Sequence, residues 1–455
     1  MRVLARAVVI PVDADRRILI DGAIAFDDSG TLVAVGPTDE VLSEFAARGD
    51  VTVDDCRGRV IIPGFVDVHA HLGEQLMRGL VPDDAAPDEW LPQWLLPGYA
   101  ALTPDEEQLG AELAIAEMLL TGTTTFCEAG TLLEWEPVAD TIEATGIRGQ
   151  LGRWTWDLPA SPSRMAHTVD AALESMRGLV EGVTARDNPR LSAACILLGM
   201  GTASDVLLRG TAELAASLGC RQAMMWAGTA PEHGGWVRHA SELVDLGWVT
   251  PTTKLTHAVY LDTAEVALLA GGGVTIAHCP TAALRHVKGI SKHGLVPEML
   301  AAGMPVGLGG DSSNGSNHFN MLRIAYLAAT LYKDFRMDQT MIPPETALEM
   351  ATIEGARCLG LDAEIGSLEP GKRADFVVFS TDHPEWRPLL DPVQNLILNA
   401  SDRSIESVWV DGRCLVDDGT IVTIELGDLL TRVDAATPQL LERAGVSPRS
   451  TWSRA

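Results

Sequence analysis

The feature that most constrains the fold is a change of rhythm along the chain. Through the middle, short apolar strand-like runs alternate with Ala/Leu/Glu-rich stretches at helical spacing, as in residues 105–121, 204–218 and 263–270. Alternation sustained over about 300 residues predicts a parallel sheet with helices packed over it. Several of the strand runs end in a histidine or another polar residue followed by Gly or Pro. In a (β/α)8 barrel, catalytic groups sit at those C-terminal strand ends. Both flanks have a different character. Val8-Val9-Ile10-Pro11-Val12, Ile18-Leu19-Ile20, Gly22-Ala23-Ile24-Ala25-Phe26 and Leu32-Val33-Ala34-Val35 are short β segments separated by Asp/Gly turns. Ala374-Asp375-Phe376-Val377-Val378-Phe379 and Ser407-Val408-Trp409-Val410 resume that character. The expected architecture is α/β: a (β/α)8 TIM barrel over residues 61–362, inserted into a small β-sandwich that residues 1–60 and 363–423 build together. A helical tail over 424–455 follows.

Charge excludes several function classes. The 34 Lys and Arg against 62 Asp and Glu leave a net charge of −28. No cluster of basic residues is available to contact phosphates or an anionic membrane surface, so neither nucleic acid nor membrane is an expected partner. No run approaches the roughly 20 apolar residues of a spanning helix. Pro11, Asp13 and Asp15 interrupt the first apolar stretch before it reaches the length of a secretion signal. The seven cysteines are scattered without a C-x-x-C, which argues against a disulfide framework and a Cys-rich zinc module. A soluble, cytoplasmic protein is expected.

The strongest local signal is Pro63-Gly64-Phe65-Val66-Asp67-Val68-His69-Ala70-His71. The run before the histidines is strand-like, and residues two apart on a strand share a face. His69 and His71 can therefore share one metal ion. Asp311, in Gly309-Gly310-Asp311-Ser312, closes another strand-like run. There it can both touch the metal and take a proton from water. Alone, it could equally be a helix cap.

The histidine motif resembles the first barrel strand of the amidohydrolase superfamily, in its branch of aminohydrolases and triazine hydrolases. Further segments resemble that family in the same order: residues 114–125, Leu255-Thr256-His257-Ala258-Val259-Tyr260-Leu261, Ile276-Ala277-His278-Cys279-Pro280-Thr281, residues 306–311, and Gly366-Ser367-Leu368-Glu369-Pro370-Gly371-Lys372-Arg373-Ala374-Asp375. The resemblance implies a (β/α)8 barrel, a divalent metal, hydrolysis by a metal-activated water and a homo-oligomer.

The sequence also departs from this family. Relatives usually carry a metal-ligating histidine on strand five and a proton-shuttling glutamate three residues later. Met225 and Gly228 stand there instead, and strand four offers Leu198. A thioether is a poor ligand for a hard or borderline divalent ion. Either the site is dead and the protein only binds, or the metal is re-housed on His69, His71, His257 and Asp311. In the second case His278 is a neighbour that orients water or polarises a carbonyl. Three nitrogens and one carboxylate suit one Zn ion, and Co, Mn or Fe also fit. His233 and His239 read as ordinary loop or helix-surface histidines. His286, His293 and His318 lie on loops that could reach the pocket.

The same departures bear on the substrate. Leu198, Met225 and Gly228 make one side of the pocket apolar, and Ala283 removes an amide that relatives often carry. Trp154 and Trp156 share a face near the end of strand three. Together these suit a small apolar or aromatic ligand. The pattern resembles the phenylurea and molinate hydrolases, which implies cleavage of the carbonyl C–N bond of an N-aryl urea, carbamate or amide. Asp311, His257 and His278 would carry that chemistry. The alternatives are an aminohydrolase of a purine, pyrimidine or triazine, with Glu74 or Glu128 replacing the lost acid, and a non-catalytic metal-binding relative.

Overall fold

The computed structural model describes residues 1–45, 50–86, 89–158, 167–199, 201–230, 238–450 and 452. The first strands are β1 (Arg2–Val9), β2 (Leu19–Phe26), β3 (Leu32–Pro37), β4 (Thr52–Asp55) and β5 (Arg59–Pro63). The central series is β6 (Phe65–His71), β7 (Thr123–Glu128), β8 (Arg148–Gly152), β9 (Leu191–Gly199), β10 (Arg221–Trp226), β11 (Thr253–His257), β12 (Thr275–His278), β13 (Val306–Leu308) and β14 (Asp311–Ser312). The last are β15 (Phe376–Ser380), β16 (Ile405–Val410), β17 (Arg413–Asp417) and β18 (Thr420–Ile421).

Each neighbouring pair from β6 to β13 runs parallel. β6 and β7 are buried along their whole length, as strands covered on both faces must be. β14 resumes β13 beyond Gly309 and Gly310 and pairs with β6, Asp311 opposite Ala70 and Ser312 opposite His71. The series thus returns to its first strand, and β13 and β14 share the eighth place of a (β/α)8 barrel. The outer helices begin on caps that the sequence supplies. Thr103 and Glu106 form a capping box on Pro104–Leu120, Ser204 caps Asp205–Leu218, and Asp262 and Glu265 box Thr263–Gly271.

Strands from the two ends of the chain join in one nine-stranded sheet, ordered β18-β17-β16-β15-β5-β1-β2-β3 with β4 on β1. The seam is β5 against β15, antiparallel, Pro63 opposite Phe376. β1 starts at Arg2, well before the apolar run at Val8 that marks it in the sequence. Arg2 is accommodated because its guanidinium lies 4.6 Å over the Trp409 ring and pairs with Asp54 at 2.5 Å. The tail is one helix, Leu426–Ala444, with Leu429 and Leu440 buried. Arg432 and Arg443 bind it to Glu112 and Glu106 of the helix Pro104–Leu120. No helix among the described residues is long and apolar enough to cross a membrane.

A buried ion pair ties the two sheets together. Arg148 on β8 donates from Nε and Nη2 to Asp375 at 3.1 and 3.3 Å, and Asp375 also accepts from the backbone N of Asp411 at 2.7 Å. Both side chains are almost wholly buried. Removing one partner strands a charge away from water. Asp375→Ala is therefore expected to destabilise the protein by about 3–5 kcal/mol, read as a lowered urea midpoint.

Candidate metal centre and active site

Three strands deliver the site. β6 presents His69 and His71 on one face, β11 ends on His257, and β14 opens with Asp311. The Nε2 atoms of His69, His71 and His257 lie 3.6, 3.5 and 3.7 Å from the Asp311 carboxylate, and all four side chains are buried. Asp67 sets this convergence. Its carboxylate accepts from the backbone N of Gly310 at 3.0 and 3.1 Å and from that of His69 at 3.1 Å. A Cβ on residue 310 would lie 2.7 Å from Asp67 Oδ2 and 2.6 Å from the Phe319 ring, so only glycine fits there. Burial pushes the Asp67 carboxyl up to about 7, against those hydrogen bonds. Asp311 (φ 62°) and His257 (φ 75°) occupy the left-handed region. Non-glycine residues held there store strain of order 1–3 kcal/mol, which persists only where the surroundings over-determine it.

The electrostatics favour a bound cation. Burial works against charge on Asp311, but the histidines outweigh it and hold the carboxyl well below its usual range. Burial drives His69 down to about 4, despite Asp311. Burial and then Lys288 drive His257 well below its ordinary value. Burial also opposes charge on His71, where Glu74 and Asp311 prevail and hold the pKa at about 9. Thr256 Oγ1 sits 3.2 Å from His69 Nδ1 and fixes the ring. His69 Nε2 is buried without a hydrogen-bond partner among the described residues. His69, His71 and Asp311 offer ligand atoms within 4.8 Å of one another, and His257, Cys279 and Asp311 form a second such group. An unpartnered imidazole nitrogen facing an ionised carboxylate is the donor set of a divalent metal site.

The pocket above these groups is lined by His71, Glu74, Trp90, Leu91, Tyr99, Trp154, Leu198, Met225, His257, His286, Lys288, Asp311 and Ser312. Of the expected substrate-facing residues, Trp154, Leu198 and Met225 are there. The others are not. Trp156 is buried in the core, its ring 5.7 Å from that of Trp154. Gly228 does not widen the pocket, because the His257 ring fills its place: a Cβ there would meet His257 Cδ2 at 2.8 Å. Ala283 is buried in the core. His278 is likewise absent from the pocket lining. Its ring lies 6.0 Å from Tyr332 of the helix Met321–Arg336, and neither nitrogen has a partner among the described residues. His239 caps a short helix, and His233 lies outside the described residues. Sequence reasoning missed Lys288, Tyr99, Trp90 and Ser312. Lys288 lies between two short helices, Trp90 and Tyr99 lie in the short helical segments Trp90–Leu95 and Leu96–Ala101, and Ser312 ends the two-residue β14, all too short for periodicity to mark an inward face.

This geometry agrees with the comparisons to known proteins. The amidohydrolase family model matches residues 60–415, and the chain belongs to that family. It is a hydrolase acting on carbon–nitrogen bonds other than peptide bonds. It is 30% identical over 436 residues to a 5-methylthioadenosine/S-adenosylhomocysteine deaminase of Syntrophobacter fumaroxidans, covering 94% of this chain and 96% of that one. Among solved structures it is similar to a zinc-bound adenosine deaminase from Xanthomonas campestris (28% identical, TM-score 0.87, 98% of each chain). It is also similar to a zinc complex of atrazine chlorohydrolase from Arthrobacter aurescens (25% identical, TM-score 0.86, 96% of this chain and 100% of that one).

The deaminase relatives overturn the phenylurea hydrolase reading and its apolar, aromatic substrate. The structure supplies the physical reason. Three of the residues that suggested an apolar pocket, Trp156, Gly228 and Ala283, lie outside it. Glu74, Lys288, His286 and Ser312 line it beside Trp154, Leu198 and Met225.

Two predictions test the metal centre by elemental analysis and metal titration. His69→Ala should reduce bound divalent metal from about one equivalent to a small fraction. Thr256→Val, which frees the His69 ring without removing a ligand, should weaken metal affinity roughly 10–100-fold.

Proposed function

We propose that the protein is a zinc-dependent aminohydrolase that removes the amino group of an adenosine-type purine nucleoside as ammonia. The observation that carries this reading is the convergence of three imidazole Nε2 atoms on one buried, ionised carboxylate at the floor of the pocket. The near full-length likeness to nucleoside deaminases supports it. His69, His71, His257 and Asp311 would hold the ion. When bound, it supplies Lewis acidity that makes hydroxide available near neutral pH.

The chain's own groups do the rest. Asp311 takes a proton from the attacking water at its carboxylate and passes it to the departing amino nitrogen. Oxygen bonds to the ring carbon, the exocyclic C–N bond breaks, and ammonia leaves. The second water proton ends on the product. Of the two acids that could replace a strand-five glutamate, Glu128 is committed to the backbone N of Leu72 at 2.9 Å. Glu74 lines the pocket, accepts from Tyr99 and from Asn314 Nδ2 at 3.3 Å, and lies 3.7 Å from His71 Nδ1. It steadies the His71 ring. Trp90 and Trp154 offer faces for a planar base. Trp90 stacks on His286 with centroids 4.4 Å apart, and the free volume beneath is only about 30 Å³. A nucleoside therefore fits only when Trp90 and Leu91 move aside.

The test is turnover of a panel by the zinc-loaded protein: adenosine, 5-methylthioadenosine, S-adenosylhomocysteine, an aminotriazine and a phenylurea. Ammonia is expected from the adenosine derivatives and no arylamine from the phenylurea. Asp311→Asn should lower the rate by roughly 10³-fold or more. Arylamine release without ammonia would overturn the reading.

A further inference from the structure

A buried lysine stands beside the reacting groups with no role assigned to it. Lys288 is 8% exposed and lies between the helix Pro280–Arg285 and the turn Ile290–His293. Its backbone N donates to Ala283 O at 2.9 Å, which fixes the stem, and its Nζ lies 3.1 Å from His257 Nε2; an ion held by that nitrogen would take its lone pair and leave the ammonium free for an acceptor in the pocket. Among the described residues it forms no ion pair, yet it lines the pocket together with Asp311. A buried ammonium without a carboxylate partner costs several kcal/mol in lost hydration. That cost is offset where negative charge develops during a reaction, because a preorganised donor in a dry site acts most strongly there.

The reaction needs such a donor, and the usual place for it is empty. Residue 228 is a glycine, and the His257 ring fills the space next to it. The carboxylate oxygens of Glu74 are engaged by Tyr99 and Asn314, and Glu128 is held by the backbone. Lys288 reaches the same imidazole, His257, from the loop that follows β12.

We propose that Lys288 is a catalytic residue. Its ammonium donates a hydrogen bond to the ring nitrogen beside the attacked carbon and stabilises the charge that gathers there. As oxygen bonds to that carbon, the electron pair of the ring C=N bond shifts onto the nitrogen. As the amino group leaves, the pair returns and ammonia departs. Of the two water protons, one leaves with ammonia and the other finishes on the ring nitrogen. Lys288 keeps its own protons throughout. The assignment rests on the aminohydrolase reading above.

The experiment compares wild type with Lys288→Met, which keeps the length of the side chain and removes its charge, and with Lys288→Arg. Zinc content, kcat and KM are measured together, and the carbonyl product is titrated by the fluorescence of the pocket tryptophans. Lys288→Met should lower kcat by about 10²–10³-fold with zinc content unchanged, and should weaken product binding about tenfold. Lys288→Arg should recover part of the loss. A kcat within about threefold of wild type overturns the proposal. So does a loss of zinc that parallels the loss of rate, because Lys288 would then only support the site. If wild type releases ammonia from a triazine and not from adenosine derivatives, the nucleoside reading falls and the same comparison on the triazine decides Lys288. If zinc-loaded wild type turns over nothing in the panel, both proposals fall.

Discussion

The clasp between Asp67 and the backbone of Gly310 is the constraint on which the site depends. It joins the first barrel strand to the last at the point where β13 breaks and β14 begins. Without that break Asp311 would continue the line of β13. With it, Asp311 stands opposite Ala70 and faces both histidines of β6. The same carboxylate fixes the backbone N of His69, so one buried acid sets both ends of the donor set. Glycine at 310 is the other half of the device, since any side chain would collide with Asp67 or Phe319. The left-handed backbone at Asp311 and His257 shows how far the chain is bent to bring these groups together.

Much of this was legible in the sequence, for identifiable reasons. The spacing of His69 and His71 on an apolar run fixes their common face, and Asp311 follows from its place at the end of a strand. Met225 and Leu198 face the pocket because strand periodicity carries them there. Periodicity fails where strands end. Trp154 and Trp156 lie beyond β8, beside Arg153 and Thr155, which form single bridges to Thr131 and Leu197, and only Trp154 reaches the pocket. His278 ends β12, but its ring packs against Tyr332 of an outer helix. Gly228 shows a different failure. An absent side chain reads as free space in a sequence, whereas in a close-packed interior a neighbouring ring occupies it.

Substrate class was misjudged for the same reason. The apolar residues Leu198, Met225 and Ala283 are visible one by one, while Glu74, His286 and Lys288 reach the pocket from segments between the strands. Lys288, Tyr99, Ser312 and the stacked pair Trp90 and His286 come together only in three dimensions. Segments between the strands bring Glu74, His286 and Lys288, while the strand ends bring His69, His71, His257 and Asp311.

The seam between β5 and β15 has a consequence for how the molecule is made. β5 leads directly into the first barrel strand, and its partner β15 follows the last. On a ribosome, the entire barrel is synthesised before that partner emerges. Until then β5 presents an open edge of apolar residues, Val60, Ile61 and Ile62. Closure of so long a loop is slow relative to local pairing. The nascent chain therefore passes through an interval in which its amino-terminal strands are unsatisfied, and a chaperone or an early barrel contact must shield that edge.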